Sequence, residues 1–214
     1  MNRALVLAVL VAGCAATVSQ LDRMKQNAAA GKRDANATET VACTASQPEC
    51  YQLHLLRGDA CYSLSRTADA AQRREFDACA AEELSAGIAQ APSEQTPDGA
   101  IRSYAVKQLE ADHDLIDTRR AGDPSGAETL AADATAFRAR YPDDPAGAYY
   151  LASARLTEAQ DQFFNSFDKT QLCTALPPIA ALTRQGGTAP GEFAANFTQL
   201  SASVAGMRKA GGCA

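Results

Sequence analysis

The chain has 214 residues and a formal charge of −5; it is 46% hydrophobic, 21% charged and 6% aromatic, with no tryptophan. Those proportions exclude a disordered tail and a collagen-like fibre, and a chain of this length removes about 70% of its unfolded surface on folding. The scarcity of aromatics beside abundant alanine predicts an all-α protein of closely packed helices, and an acidic balance without a lysine or arginine run argues against nucleic acid as a partner.

At the N-terminus, Met1-Asn2-Arg3 sets one positive charge before the uninterrupted apolar run Ala4 to Ala12, and the small residues Gly13, Cys14, Ala15 and Ala16 follow. This is the pattern of a targeting segment, since a bilayer span needs about 20 apolar residues. The run Leu10-Val11-Ala12-Gly13-Cys14 resembles the lipobox of bacterial lipoproteins. That resemblance implies a signal peptide over 1–13, cleavage before Cys14, and acylation of Cys14, palmitate included, so that several acyl chains hold the protein on a membrane. Lipoproteins of diderm bacteria that stay in the inner membrane tend to carry aspartate after the acylated cysteine; Ala15 stands here, which implies the periplasmic face of the outer membrane. Residues 14–40 are small and polar, with only Val18, Leu21 and Met24 as spaced apolar positions. They read as a flexible tether, leaving 41–214 as a helical domain.

The first predicted helix runs from about Gln47 to Ser65, with Ser46 as its cap, Pro48 in its first turn and Leu53, Leu56, Ala60 and Leu64 on one face. A second starts at Thr67 or Asp69, carries Ala71, Phe76, Cys79, Ala80, Leu84 and Ile88, and stops before Pro92. A third begins at Asp98 and shows Ile101, Tyr104, Ala105, Leu109, Leu115 and Ile116 at helical spacing, up to Ala121-Gly122-Asp123-Pro124. A fourth spans about Gly126 to Arg140, and Pro142-Asp143-Asp144-Pro145 forces a turn before a fifth from Ala146 to about Asp168. Gln171 to Arg184 reads as a segment interrupted by Pro177-Pro178, and a last helix covers Glu192 to about Lys209. Hairpins starting near Gln47, Asp98 and Ala146 suggest a stack of about three antiparallel helix pairs with a terminal capping helix.

With Cys14 assigned to lipid, Cys43, Cys50, Cys61, Cys79, Cys173 and Cys213 form an even set that an oxidising compartment would pair as three staples. Cys173 with Cys213 is the economical choice, as no other cysteine lies in that half. Cys50 with Cys61 is excluded on one helix, where eleven residues span about 16 Å and bridged Cα atoms lie within about 7 Å. A turn near Arg66 to Ala68 favours Cys50–Cys79 with Cys43–Cys61 narrowly over Cys43–Cys50 with Cys61–Cys79. A metal site is not expected: there is no Cys-x-x-Cys, and His54 and His113 are far in sequence from a paired ligand pattern.

Leu56-Arg57-Gly58-Asp59-Ala60-Cys61-Tyr62-Ser63-Leu64 and Phe76-Asp77-Ala78-Cys79 resemble the two helices of a tetratricopeptide repeat. Tyr141-Pro142-Asp143-Asp144-Pro145-Ala146, leading into Tyr149-Tyr150-Leu151-Ala152-Ser153-Ala154, resembles a junction between such repeats. The likeness covers about a third of the chain, at a spacing of ~50 residues against 34 in the family. It implies a helical array that binds a protein or peptide.

The pattern shows no phosphate cradle, no nucleophile elbow and no carboxylate pair spaced for glycoside hydrolysis, so no catalytic residue and no cofactor is assigned. His54 reads as a packed or surface histidine, and Asp112-His113-Asp114 as a solvated helix face, because consecutive helical residues point apart. Tyr149, Tyr150, Phe163, Phe164 and Phe167 are the candidates for contact with a partner, weighed against core packing of Phe163 and Phe167 four residues apart. The expected function is a non-enzymatic envelope scaffold; the alternative is an envelope enzyme or a lipoprotein that binds carbohydrate or peptidoglycan.

Overall fold

All regular structure among the described residues is helical. The computed structural model describes residues 17–92, 98–117, 125–186, 191 and 193–213; the expected leader, Cys14, and the breaks at 93–97, 118–124 and 187–190 lie outside them. The helices are α1 (residues 17–29), α2 (Arg33–Thr38), α3 (Cys50–Ser65), α4 (Ala70–Gln90), α5 (Asp98–Asp117), α6 (Ser125–Arg140), α7 (Pro145–Ser166), α8 (Lys169–Gly186) and α9 (Phe193–Gly211). Three disulfides staple the all-α fold. The chain divides into two compact units, one ending at Ala111 and the other starting at Asp112, so residues 41–214 are spread over both.

In the first unit α3 and α4 form an antiparallel pair whose contact is made by glycines. A Cβ on Gly58 would stand 2.9 Å from the Leu84 backbone nitrogen, and one on Gly87 would stand 3.0 Å from that of Leu55. The missing side chains let the helix axes approach closely, and Leu55 and Leu84 are buried in the seam. Asp69 caps α4 by accepting hydrogen bonds from the Ala71 and Gln72 amides. Ser46 does not cap α3; its hydroxyl pairs with that of Thr44, and α3 starts at Cys50.

The glycine contacts also set the disulfide register. Gly58 facing Leu84 brings Cys61 level with Cys79, and the two are bridged with Cα atoms 5.9 Å apart. In that register Cys50 is about 12 residues from the level of Cys79, ~18 Å along the axis, so the preferred Cys50–Cys79 pairing is corrected. Cys50 bonds Cys43 at a Cα separation of 5.6 Å. Cys50 level with Cys79 would need the hairpin centred between positions 64 and 65, still inside α3, whereas the Gly58–Leu84 and Gly87–Leu55 contacts centre it near position 71.

The tether is corrected over residues 17–40. Leu21 and Met24 of α1 pack on Leu53, with Val41, Cys43 and Leu56 around them. The Asn36 amide donates to the Met24 carbonyl at 2.9 Å, and Gln20 Nε2 donates to the Thr40 carbonyl at 2.7 Å. Arg23 pairs with Glu39, and its hydrogen bond holds the Glu39 carboxyl below its ordinary value. Two packed apolar residues of α1 are enough here because polar Thr17, Gln20 and Asn36 are buried beside them, while Val18 stays exposed.

A polar network joins α3, α4 and α5 inside this unit. Arg66 donates to Asp77 and to Glu110, each at 2.8 Å, and lies 4.9 Å over the Tyr62 ring, whose hydroxyl donates to Glu110 at 2.6 Å. Lys107 pairs with Asp59 beneath Tyr104. Burial, and then the charge of Asp59, push the Tyr104 phenol above its ordinary value. Its contribution is therefore full below the unfolded-state pKa of about 10 and is lost as pH rises beyond it, because the unfolded chain ionises first. Tyr104→Phe should flatten the alkaline loss of stability, measured as urea midpoints between neutral pH and pH ~11.

In the second unit α7 touches α6, α8 and α9. Asp144 caps α7 by accepting from the Ala146 amide at 3.0 Å, with Pro145 in the first turn where its missing N–H costs nothing. Leu156, Phe163, Leu172, Leu176, Ile179, Leu200, Val204 and Met207 form the core. The Cys173–Cys213 bridge ties the start of α8 to the chain beyond α9, with Cα atoms 5.3 Å apart. Pro177 and Pro178 do not interrupt α8, which is continuous from Lys169 to Gly186. Both are exposed, on the side where water can serve carbonyls that lose an N–H donor.

Candidate functional site

The α6–α7–α8 layer of the second unit leaves a cleft of about 350 Å³. Its apolar lining comes from Leu151 and Ala159 of α7 and from Ala175, Pro178, Ile179 and Leu182 of α8. Arg155, Glu158 and Gln162 stand on one face of α7 at helical spacing and supply the polar wall. Arg155 donates to Glu158 at 2.8 Å, and Gln162 accepts from Gln171 at 2.9 Å. The volume lies at the small end of ligand pockets.

The five aromatic candidates separate into two groups. Tyr149 and Tyr150 pack on Phe193 at 5.5 and 6.0 Å between ring centroids, and on His113 at 5.9 and 5.7 Å. Tyr150 and Phe163 are buried, and Tyr149 is packed against the core. His113 is thus an aromatic neighbour in the second unit, in place of the expected solvated face. Phe164 and Phe167 are 60% and 71% exposed, and with Val18 they are the large hydrophobic side chains left on the surface among the described residues. Phe167 closes α7 with φ of 53°, in the left-handed region, its ring 6.1 Å from Phe163.

A second cluster lies in the first unit and was not anticipated. His54 Nδ1 donates to Glu83 Oε2 at 2.6 Å, Arg57 donates to Glu83 Oε1 at 2.5 Å, and Arg57 Nε donates to the Ala37 carbonyl at 3.2 Å. The other side of this group is the Cys43–Cys50 pair: both sulfurs and a ring nitrogen of His54 lie within 4.8 Å of one another. Distance in sequence concealed it, since Glu83 arrives from α4 and Cys43 from the segment before α3. The four-residue spacing of Cys50 and His54 was the legible part of the signal.

No protein-family model, no curated protein and no solved structure matches the chain. Among the described residues no helix is long and apolar enough to cross a membrane.

Proposed function

We propose that the protein is a lipid-anchored, non-enzymatic scaffold on the periplasmic face of the outer membrane, whose helical body binds an envelope protein or peptide. The lipobox-like run ending at Cys14 supports the address, and the tetratricopeptide-like stretches support peptide binding. The observation that carries the binding role is Phe167. A non-glycine residue in the left-handed region costs about 1–2 kcal/mol, and an exposed phenyl ring forgoes the ~2 kcal/mol that burial would contribute. Phe167 bears both costs at once, with Phe164 exposed one turn earlier. Aromatic side chains of this kind are enriched at the centres of protein interfaces, where a partner supplies the missing burial. The cleft on α7 and α8 adds an apolar floor with a polar wall to the same pair of helices.

Phe167→Gly separates recognition from folding. Glycine accepts the left-handed backbone, so the variant should be about 1 kcal/mol more stable in urea. The partner crosslinked to it in intact cells should fall at least tenfold. A variant that keeps its partner at the native yield removes Phe167 from the binding surface.

A further inference from the structure

Cys50 and His54 are four residues apart in α3 and therefore share one face, a turn apart. Cys43 reaches them from the irregular segment between α2 and α3, where the chain is free of helical constraint. A tetrahedral zinc ion, with bonds of about 2.3 Å to sulfur and about 2.1 Å to nitrogen, holds such ligand atoms about 3.6 to 3.8 Å apart. The two sulfurs and a ring nitrogen of His54 already lie within 4.8 Å of one another. Opening the bridge and a small shift of Cys43 convert the group into a chelate.

The surroundings of His54 are an independent observation. Metal-binding histidines commonly donate one ring N–H to a carboxylate, which fixes the tautomer and leaves the other nitrogen's lone pair for the ion. Glu83 takes that place at Nδ1, is nearly buried, and is itself fixed by Arg57. A plain structural staple does not need an oriented imidazole beside it.

We propose that Cys43–Cys50 is a reversible bridge whose reduced form binds a soft cation of the zinc type through both thiolates and His54. Reduction requires a dithiol. One of its thiolates attacks Cys43 Sγ, the S–S bond breaks, and Cys50 leaves as a thiolate that takes up a proton. The second thiol of the reductant then displaces Cys43, giving two cysteine thiols and a disulfide within the oxidised dithiol. Binding releases the two thiol protons and forms two metal–sulfur bonds and one metal–nitrogen bond at Nε2, with the fourth position open to water. Two thiolates and an imidazole prefer zinc or cuprous copper to magnesium or calcium.

The test uses the full chain, reduced with a dithiol, freed of it without oxygen, and titrated with Co(II) as a spectroscopic stand-in for zinc. The expected result is a tetrahedral cobalt–thiolate spectrum saturating at one equivalent, displaced by Zn(II) and absent before reduction. The double variant Cys43→Ser/Cys50→Ser should lose it, whereas Cys61→Ser/Cys79→Ser and Cys173→Ser/Cys213→Ser should keep it. His54→Ala, which retains both thiols, should weaken cobalt binding at least tenfold, and Glu83→Gln should weaken it by about 10- to 100-fold. Circular dichroism follows each sample, and a reduced chain that has lost helicity should regain it with Zn(II). Four results overturn the proposal: no cobalt spectrum, a spectrum that survives Cys43→Ser/Cys50→Ser, native affinity in His54→Ala, or a reduced chain that stays unfolded with Zn(II).

Discussion

Replacing Cys173 and Cys213 together by serine is expected to cost about 4 kcal/mol of stability, more than the loss of either other bridge. The closed loops span 40, 18 and 7 residues for Cys173–Cys213, Cys61–Cys79 and Cys43–Cys50. Loop-closure entropy in the unfolded chain then ranks them at about 4, about 3 and about 2.4 kcal/mol. The longest loop also holds α9 in place. Leu172 and Gly211 meet beside the bridge, and Val204 and Met207 complete the core that α7 and α8 share. Without the crosslink α9 can fray from its C-terminal end and expose that core. Urea unfolding of the three double variants checks the ranking. A Cys43/Cys50 variant less stable than the Cys173/Cys213 variant would contradict it.

Gly58→Ala and Gly206→Ala should shift stability in opposite directions, although alanine is the better helix former at both positions. In a helix interior the exchange alone favours alanine by about 0.8–1 kcal/mol. At Gly206 a Cβ meets nothing within 4 Å, so a gain of that order should appear. At Gly58 the new carbon would stand 2.7 Å from Leu84 Cγ and 2.9 Å from the Leu84 backbone nitrogen. Leu84 is fully buried, and the nearby Cys61–Cys79 bridge keeps the helices from separating. Overpacking of this kind costs up to about 3 kcal/mol, which leaves a net loss of about 2 kcal/mol after the helix gain. Urea midpoints of the two variants read both signs; a more stable Gly58→Ala would mean that the seam can open without cost.

The helices α4 and α7 were legible because their ends carry their own chemistry, whereas Pro177-Pro178 hid the continuity of α8. Asp69 and Asp144 cap, Pro145 sits in a first turn, and apolar positions recur at helical spacing between them. Residues 17–38 were not legible for a physical reason: their stripe packs two apolar residues, Leu21 and Met24, and the rest of their anchoring is polar, through Gln20, Asn36 and the Arg23–Glu39 pair. Polar residues that are buried by hydrogen bonding look the same in a sequence as polar residues that face water. The disulfide partners of Cys50 and Cys79 depended on the hairpin register, which rests on two glycine contacts and shifts with every residue added to the turn. The same holds for the candidate sites. Phe164 and Phe167 could be named from sequence, but their exposure and the left-handed backbone at Phe167 are properties of the folded helix end. The polar stripe Arg155, Glu158 and Gln162 belongs to a cleft only once α8 brings Ile179 and Leu182 opposite it.

The measurement that bears most directly on the scaffold role is site-specific photocrosslinking in intact cells, from a reactive residue placed at Phe164 or Phe167 in the chain with its own N-terminal segment. Glu128, exposed on α6, serves as the reference position. The scaffold role predicts a discrete adduct in the membrane fraction from positions 164 and 167, sensitive to protease but not to glycan hydrolases, and absent from position 128. It also predicts that Cys14→Ser releases the protein from that fraction. Equal adducts from all three positions, an adduct digested only by glycan hydrolases, or a Cys14→Ser protein that stays with the membrane would contradict it.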